Sequence, residues 1–466
     1  MATQRDDSDT DVESNHEIER TEESPLLPNP SPIQEGPSKA FRRRALGFCM
    51  LALLMVEVSQ FIMNPPTKKI IEDIICRKHY PDHAIRSYDI EDHRCKDSPV
   101  QGTLAMVQGW QQAFEMGVLH FPDIFSIWAV LGDSIFFLIG GGGQMAVAMV
   151  YTIVADVVPV EERTDMFFRL VALVLIFNVI FNPISAWLLQ YDPWLSMWIG
   201  FGFMVFGTLC ILLIPETMHL RRKDDERHEP VEAGKSGVLR QAWFSIKNDM
   251  EHVWRFIFAS KSIMMLMFAV ALFYPTRITL TGPLLQYMSK RFDWSWSKAT
   301  YISTIGIIAT VVCYLIILPI TSDSLNKSRR YKSRPIARDL LLSRISITIM
   351  AVGLLLMGVA GTPWLFVISL IIVSIGNSFV ALSRALLNAL VEPHTIATLN
   401  TTVSLIEVMM GLTAPAMSWF LAKGIEMGGS WMGLPFVVVG LLAMVTTGML
   451  FAIKLPSSGV GQAHDG

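Results

Sequence analysis

The chain has 466 residues, 52% of them hydrophobic and only 17% charged, with a formal net charge of −3 and a mean hydropathy of +0.42. Soluble chains carry about 25% charged residues, and their apolar positions are spread periodically rather than in blocks. The composition therefore excludes a soluble multidomain protein, a disulfide-rich secreted scaffold and a nucleic-acid binder, and points to an integral membrane protein with the lipid bilayer as its first partner.

Residues 1–41 form an acidic tail; its first 40 residues hold ten Asp/Glu against three Lys/Arg and no aromatics. Such a segment buries too little apolar surface to order itself and is expected to be a disordered cytoplasmic tail. About 20 apolar residues cross a bilayer as a helix. Runs of that kind lie near 45–63, 124–155, 167–190, 194–214, 262–287, 300–320, 339–360, 363–391, 398–422 and 431–454, which makes about ten spans. Their continuous hydrophobicity excludes a β-barrel, whose strands alternate in ~10-residue units. The stretch 103–119 is too polar and too short to count.

Between the first two runs, residues 64–100 read as an external loop. Cys76 and Cys95 lie in it, with His79 and His83 between them. The spacing Cys76-x2-His79-x3-His83 is compatible with zinc, but Pro81 interrupts any helix that would present both histidines together. A Cys76–Cys95 disulfide is the simpler pairing outside the cell, and no metal is expected. Arg42–Arg44, nine basic residues over 221–261 and seven over 327–344 mark the cytoplasmic side, which places both termini in the cytoplasm. The resulting order is an N-terminal bundle over 42–215, a cytoplasmic linker over 216–261 and a C-terminal six-helix bundle over 262–455. A short tail, 456–466, follows. Within the linker, 236–258 carries apolar residues at helical spacing and is expected to be an amphipathic helix.

The chain repeats itself. IGGGGQMAVAMVYTIVADVVP (139–159) followed by NPISAWLL (182–189) has a counterpart in IGNSFVALSRALLNALVEP (375–393) followed by APAMSWFL (414–421). Both copies face the same way, and parallel repeats joined by a central loop are a transporter architecture.

Charges at membrane depth cost at least ~2.5–3.5 kcal/mol each and are functional candidates by default. Five stand well inside spans: Glu57, Asp133, Arg277, Arg384 and Glu407. Asn400, Ser404, Glu407 and Gly411 share one helical face, and so do Asn377, Ala381, Arg384 and Asn388. Two polar stripes on successive helices imply a shared cavity lined by Arg384 and Glu407, paired or apart. Glu57, with Gln60 on the same face, is a second proton-carrying candidate. Arg277 suits an anionic group of the substrate. A structural salt bridge is the competing explanation for each charge. No catalytic constellation is present, so neither enzymatic activity nor a cofactor is expected.

These segments, with NPPTKKIIEDIICRKHY (64–80), LIPETM (213–218) and RDLLLSRISI (338–347), resemble the major facilitator superfamily, more closely its fungal members near the tetracycline-antiporter and proton-coupled folate-carrier branch. The resemblance implies an all-α polytopic membrane protein of two parallel-repeat bundles and twelve spans. It also implies alternating-access transport of a small organic molecule coupled to protons. Export of a secondary metabolite or xenobiotic is the expected direction; proton-coupled uptake and a truncated, non-transporting protein are the alternatives. A monomer in the plasma or vacuolar membrane is expected. The family's Gly-x3-Asp-Arg-x-Gly-Arg-Arg motif between spans two and three is absent, and GWQQAFEMG (109–117) runs directly into a segment resembling the start of span four. The N-terminal bundle is therefore expected to be incomplete, short of spans two and three. Loss, splicing and an incomplete gene model all leave this trace.

Overall fold

The computed structural model describes residues 39–80, 93–113, 150, 153–154, 157–158, 160–215, 261–328, 335–391 and 396–453. Residues 1–38 of the acidic tail, most of the run at 124–155, Asp133, His83, the amphipathic helix expected at 236–258 and the C-terminal tail lie outside them. Among the described residues the fold is helical throughout, without a strand.

The N-terminal half consists of α1 (Lys39–His79), a 3-10 turn (His93–Lys96), α2 (Ser98–Ala113), α3 (Val160–Tyr191) and α4 (Pro193–Leu212). Lys261–Thr281 forms α5 and Pro283–Phe292 α6. Trp296–Val312 (α7) passes through a π turn, Cys313–Ile317, into α8 (Leu318–Lys327). Then come α9 (Pro335–Val359), α10 (Pro363–Gly376), α11 (Phe379–Ala389), α12 (Ile396–Gly411), α13 (Ala414–Met427) and α14 (Leu434–Ala452). Among the described residues, eight helical stretches are long and apolar enough to cross a membrane: Ala40–His79, Ala172–Tyr191, Pro193–Leu212, Lys261–Thr281, Trp296–Lys327, Ile336–Val359, Pro363–Ala389 and Gly429–Ala452. The run at 398–422 is absent from this set; it is divided at Leu412–Thr413, just before Pro415, into α12 and α13. Large apolar side chains such as Trp198, Phe201, Leu212 and Trp364 stand exposed on the outer faces, as lipid contact requires.

The structure departs from the expected 64–100 loop. α1 does not stop at Asn64 but continues through Pro65 and Pro66 to His79, and α2 begins at Ser98. Proline removes a helical N–H, so Pro66 leaves the carbonyl of Ile62 without its i+4 donor. That carbonyl accepts instead from the hydroxyls of Ser185 (2.9 Å) and Ser196 (3.1 Å), on α3 and α4. The Thr67 hydroxyl donates to the Met63 carbonyl at 2.7 Å. Hydroxyl side chains thus repair the helix at the point where the sequence reads as a break. Gly200 and Gly207, two turns apart on α4, admit Met63 and Met55 of α1 at contact distance.

Two seams join the halves: α2 lies along α13, and α3 along α7. The α2–α13 seam is tight, because a Cβ on Gly109 would fall 2.4 Å from the Ser418 side chain. With 16 residues, α2 spans about 24 Å, less than the ~30 Å hydrocarbon core. In the C-terminal half α9 is the central pillar, packed on α10 and α14, while α5 packs against α14, α12 and α11.

Candidate functional site

The two polar stripes read from the sequence do meet. Arg384 of α11 donates from Nη2 to Oε1 of Glu407 on α12 at 2.6 Å. The Arg384 side chain is 44% exposed and that of Glu407 10%, so the pair has one face open. Asn388, one turn beyond Arg384, has a buried Oδ1 with no hydrogen-bond partner. Asn400 lies on α12, but its side chain falls outside the described residues.

On α5, Arg277 is exposed between the buried Thr276 and Ile278. No ion pair or hydrogen bond is drawn from its guanidinium among the described residues. Tyr274 sits within electrostatic reach of both Arg277 and Glu407, and Tyr314 within reach of Arg277. The π turn at Cys313–Ile317 carries Tyr314, whose hydroxyl donates to the Asn377 carbonyl at 3.1 Å where α10 ends. π turns inside α-helices recur at functional positions. Glu57 and Gln60 lie half-buried on α1, and no hydrogen bond links them to the Arg384–Glu407 pair among the described residues. The structure therefore groups Arg277, Arg384, Asn388 and Glu407 in the C-terminal half and leaves Glu57 and Gln60 in the other.

A second polar cluster, at the end of the molecule where α1 terminates, escapes sequence reasoning. Glu72 is fully buried. Its Oε1 accepts from Lys96 Nζ (2.9 Å) and Gln101 Nε2 (2.6 Å), and its Oε2 from the Trp296 indole N–H (2.6 Å). Lys96 also donates to Ser289 Oγ at 2.6 Å, and Gln286 donates to Gln101. Lys68 donates to the carbonyls of Thr281 (3.1 Å) and Gly282 (3.0 Å), so an ammonium caps the negative end of α5. Gln190 donates to Ser297 and Asn182 to Thr304. These bonds gather at one end and tie the N-terminal half to α5, α6 and α7. Cys76 and Cys95 are disulfide-bonded with Cα atoms 5.2 Å apart, which takes both thiols out of any zinc set and holds Lys96 beside Glu72. The signal for this cluster is helical: Lys68, Ile71, Glu72, Ile75 and Cys76 recur at one-turn spacing with hydrophobic partners, a pattern a loop has no reason to carry.

The sequence profile of the Major Facilitator Superfamily matches residues 118–415. The chain belongs to the major facilitator superfamily. As a superfamily member it is a membrane transporter and not an enzyme. It is 25% identical over 486 aligned residues to the MFS efflux pump atnC of Emericella nidulans, with 93% of each chain covered. It is 26% identical to the MFS-type transporter avaK of Aspergillus versicolor, over 87% of this chain and 92% of that one. Among solved structures, a bacterial metal transporter superposes with a TM-score of 0.51 at 13% identity, covering 89% of this chain and 99% of that one. The peptide transporter POT superposes with a TM-score of 0.53 at 13% identity, covering 88% and 94%. At this identity the structural likeness concerns the major facilitator fold alone.

Proposed function

We propose that this transporter exports a small organic molecule by alternating access, with proton movement through Glu407 or Glu57 as its energy source. The observation that carries the reading is the half-open Arg384–Glu407 pair on the membrane-embedded helices α11 and α12. A carboxylate whose counter-ion is shared with solvent can exchange that partner for a proton as the cavity changes sides. Relatives named efflux pumps support the direction. Both termini lie in the cytoplasm, the Glu72 cluster and the disulfide lie on the opposite side, and the monomer is the working unit in the plasma or vacuolar membrane. The reading includes a shortened N-terminal half, in which GWQQAFEMG (109–117) runs directly into a segment resembling the start of span four.

Deleting the gene raises cellular accumulation of the exported compound, and Glu407→Gln in its place fails to restore efflux although the protein reaches the membrane. Unchanged accumulation across a broad panel of toxic organic compounds overturns export. Lower accumulation on deletion, with transport stimulated by external acid, identifies uptake instead.

A further inference from the structure

We infer that the transported molecule is an organic acid, and that Arg277 holds its anionic group. The inference deepens the export reading and rests on it. It starts from a charge balance. In the C-terminal half Arg384 is matched by Glu407 at 2.6 Å, whereas Arg277 stands on α5 without an acidic partner among the described residues. An arginine cannot shed its charge, and an unmatched cation at membrane depth costs several kcal/mol unless something answers it. α5 packs against α11 and α12, and among the described residues Arg277, Arg384 and Glu407 leave one surplus positive charge, which an anionic ligand of one charge neutralises.

The surroundings fit a ligand rather than a packing role. One buried polar atom near the pair also lacks a partner: Oδ1 of Asn388, one turn from Arg384 on α11. Buried polar groups are normally satisfied, so an orphan one turn from Arg384 marks a place where a ligand supplies the missing hydrogen bond. Tyr274 and Tyr314 both lie in reach of Arg277, and the π turn turns Tyr314 toward the end of α10. Tyr274, one turn before Arg277 on α5, suits an apolar, ring-bearing body behind the acid group. Arginine's planar fork matches a carboxylate with two parallel hydrogen bonds.

The test uses the full chain purified in detergent and matched probes differing only in charge: benzoate against benzamide, and 2-naphthoate against 2-naphthamide. The carboxylates raise the melting temperature of the wild type and the amides do not. Arg277→Gln weakens carboxylate binding by roughly ten- to a hundredfold, the scale of one lost charged hydrogen-bond pair. Arg277→Lys retains a weaker response, because it keeps the charge and loses the fork; it also stands in if the glutamine variant fails to fold. Amides that stabilise as well as carboxylates, no response of the wild type to either carboxylate, or wild-type binding by Arg277→Gln overturns the inference. Binding in detergent does not depend on direction, so its failure is distinguishable from failure of the efflux assay that tests export.

Discussion

Two buried carboxylates in this chain meet opposite demands. Glu72 accepts three charged or polar donors with no exposed surface, whereas Glu407 has one strong partner and an open side. The first arrangement fixes an ionised group and the second leaves it free to change. Glu72→Gln leaves Lys96 buried with its counter-charge gone, and destabilisation of about 3–5 kcal/mol is expected, read as a lower melting temperature. Glu72→Gln combined with Lys96→Met recovers part of that loss; no recovery would show that the two do not act as a pair. Arg384→Ala costs less, about 1–3 kcal/mol, because the arginine is nearly half exposed and water takes over part of its role. The stripes that carry Arg384 and Glu407 were legible because a charge inside an apolar run stands out. Glu72 was not, because it sits among seven basic and seven acidic residues in 64–100, where one more charge looks solvated.

At the scale of elements, most helices announce themselves by apolar length: the expected runs from 167 onward fall on described helices, though 262–287, 363–391 and 398–422 are each divided between two. α1 is the exception. A Pro-Pro pair followed by lysines reads as a helix end, and only tertiary contacts from Ser185 and Ser196 make its continuation possible. Ser185→Ala is therefore expected to loosen α1 at Pro66, seen as faster backbone hydrogen exchange over residues 62–70 than elsewhere in the helix. The disulfide acts on the same helix. It closes a loop with a sequence separation of 19, for which chain entropy gives about 3 kcal/mol. Cys76→Ser should lower the melting temperature accordingly. It should also leave the Arg384–Glu407 region protected in hydrogen exchange, since the two clusters belong to different parts of the fold.

At the scale of the molecule, the bonds from Lys68, Glu72, Gln101 and Gln190 hold the two halves together at one end. In the proposed orientation that end faces outward, so the structure is sealed toward the outside. Ser297→Cys, buried in this seal, should react slowly with a membrane-impermeant maleimide applied to intact cells. Adding Glu72→Gln should accelerate the reaction severalfold; equal rates would mean that the cluster does not hold the seal. The all-helical membrane fold was visible in the sequence because it is written in long apolar runs. The seams between them were not, because α2 pairs with α13 and α3 with α7 through side chains remote in the chain.

α1 has a mechanical consequence. It is one helix of 41 residues, about 60 Å long against a hydrocarbon core of ~30 Å, and Gln60 and Glu72 stand about 18 Å apart along it. Such a rod works as a lever. A tilt of about 10° pivoting near Gln60 sweeps the Glu72 end through roughly 3 Å at that radius, enough to part hydrogen bonds that depend on a donor–acceptor distance near 2.9 Å. A movement of α1 by a few degrees is thereby enough to open the hydrogen bonds through which Glu72 closes one end of the fold.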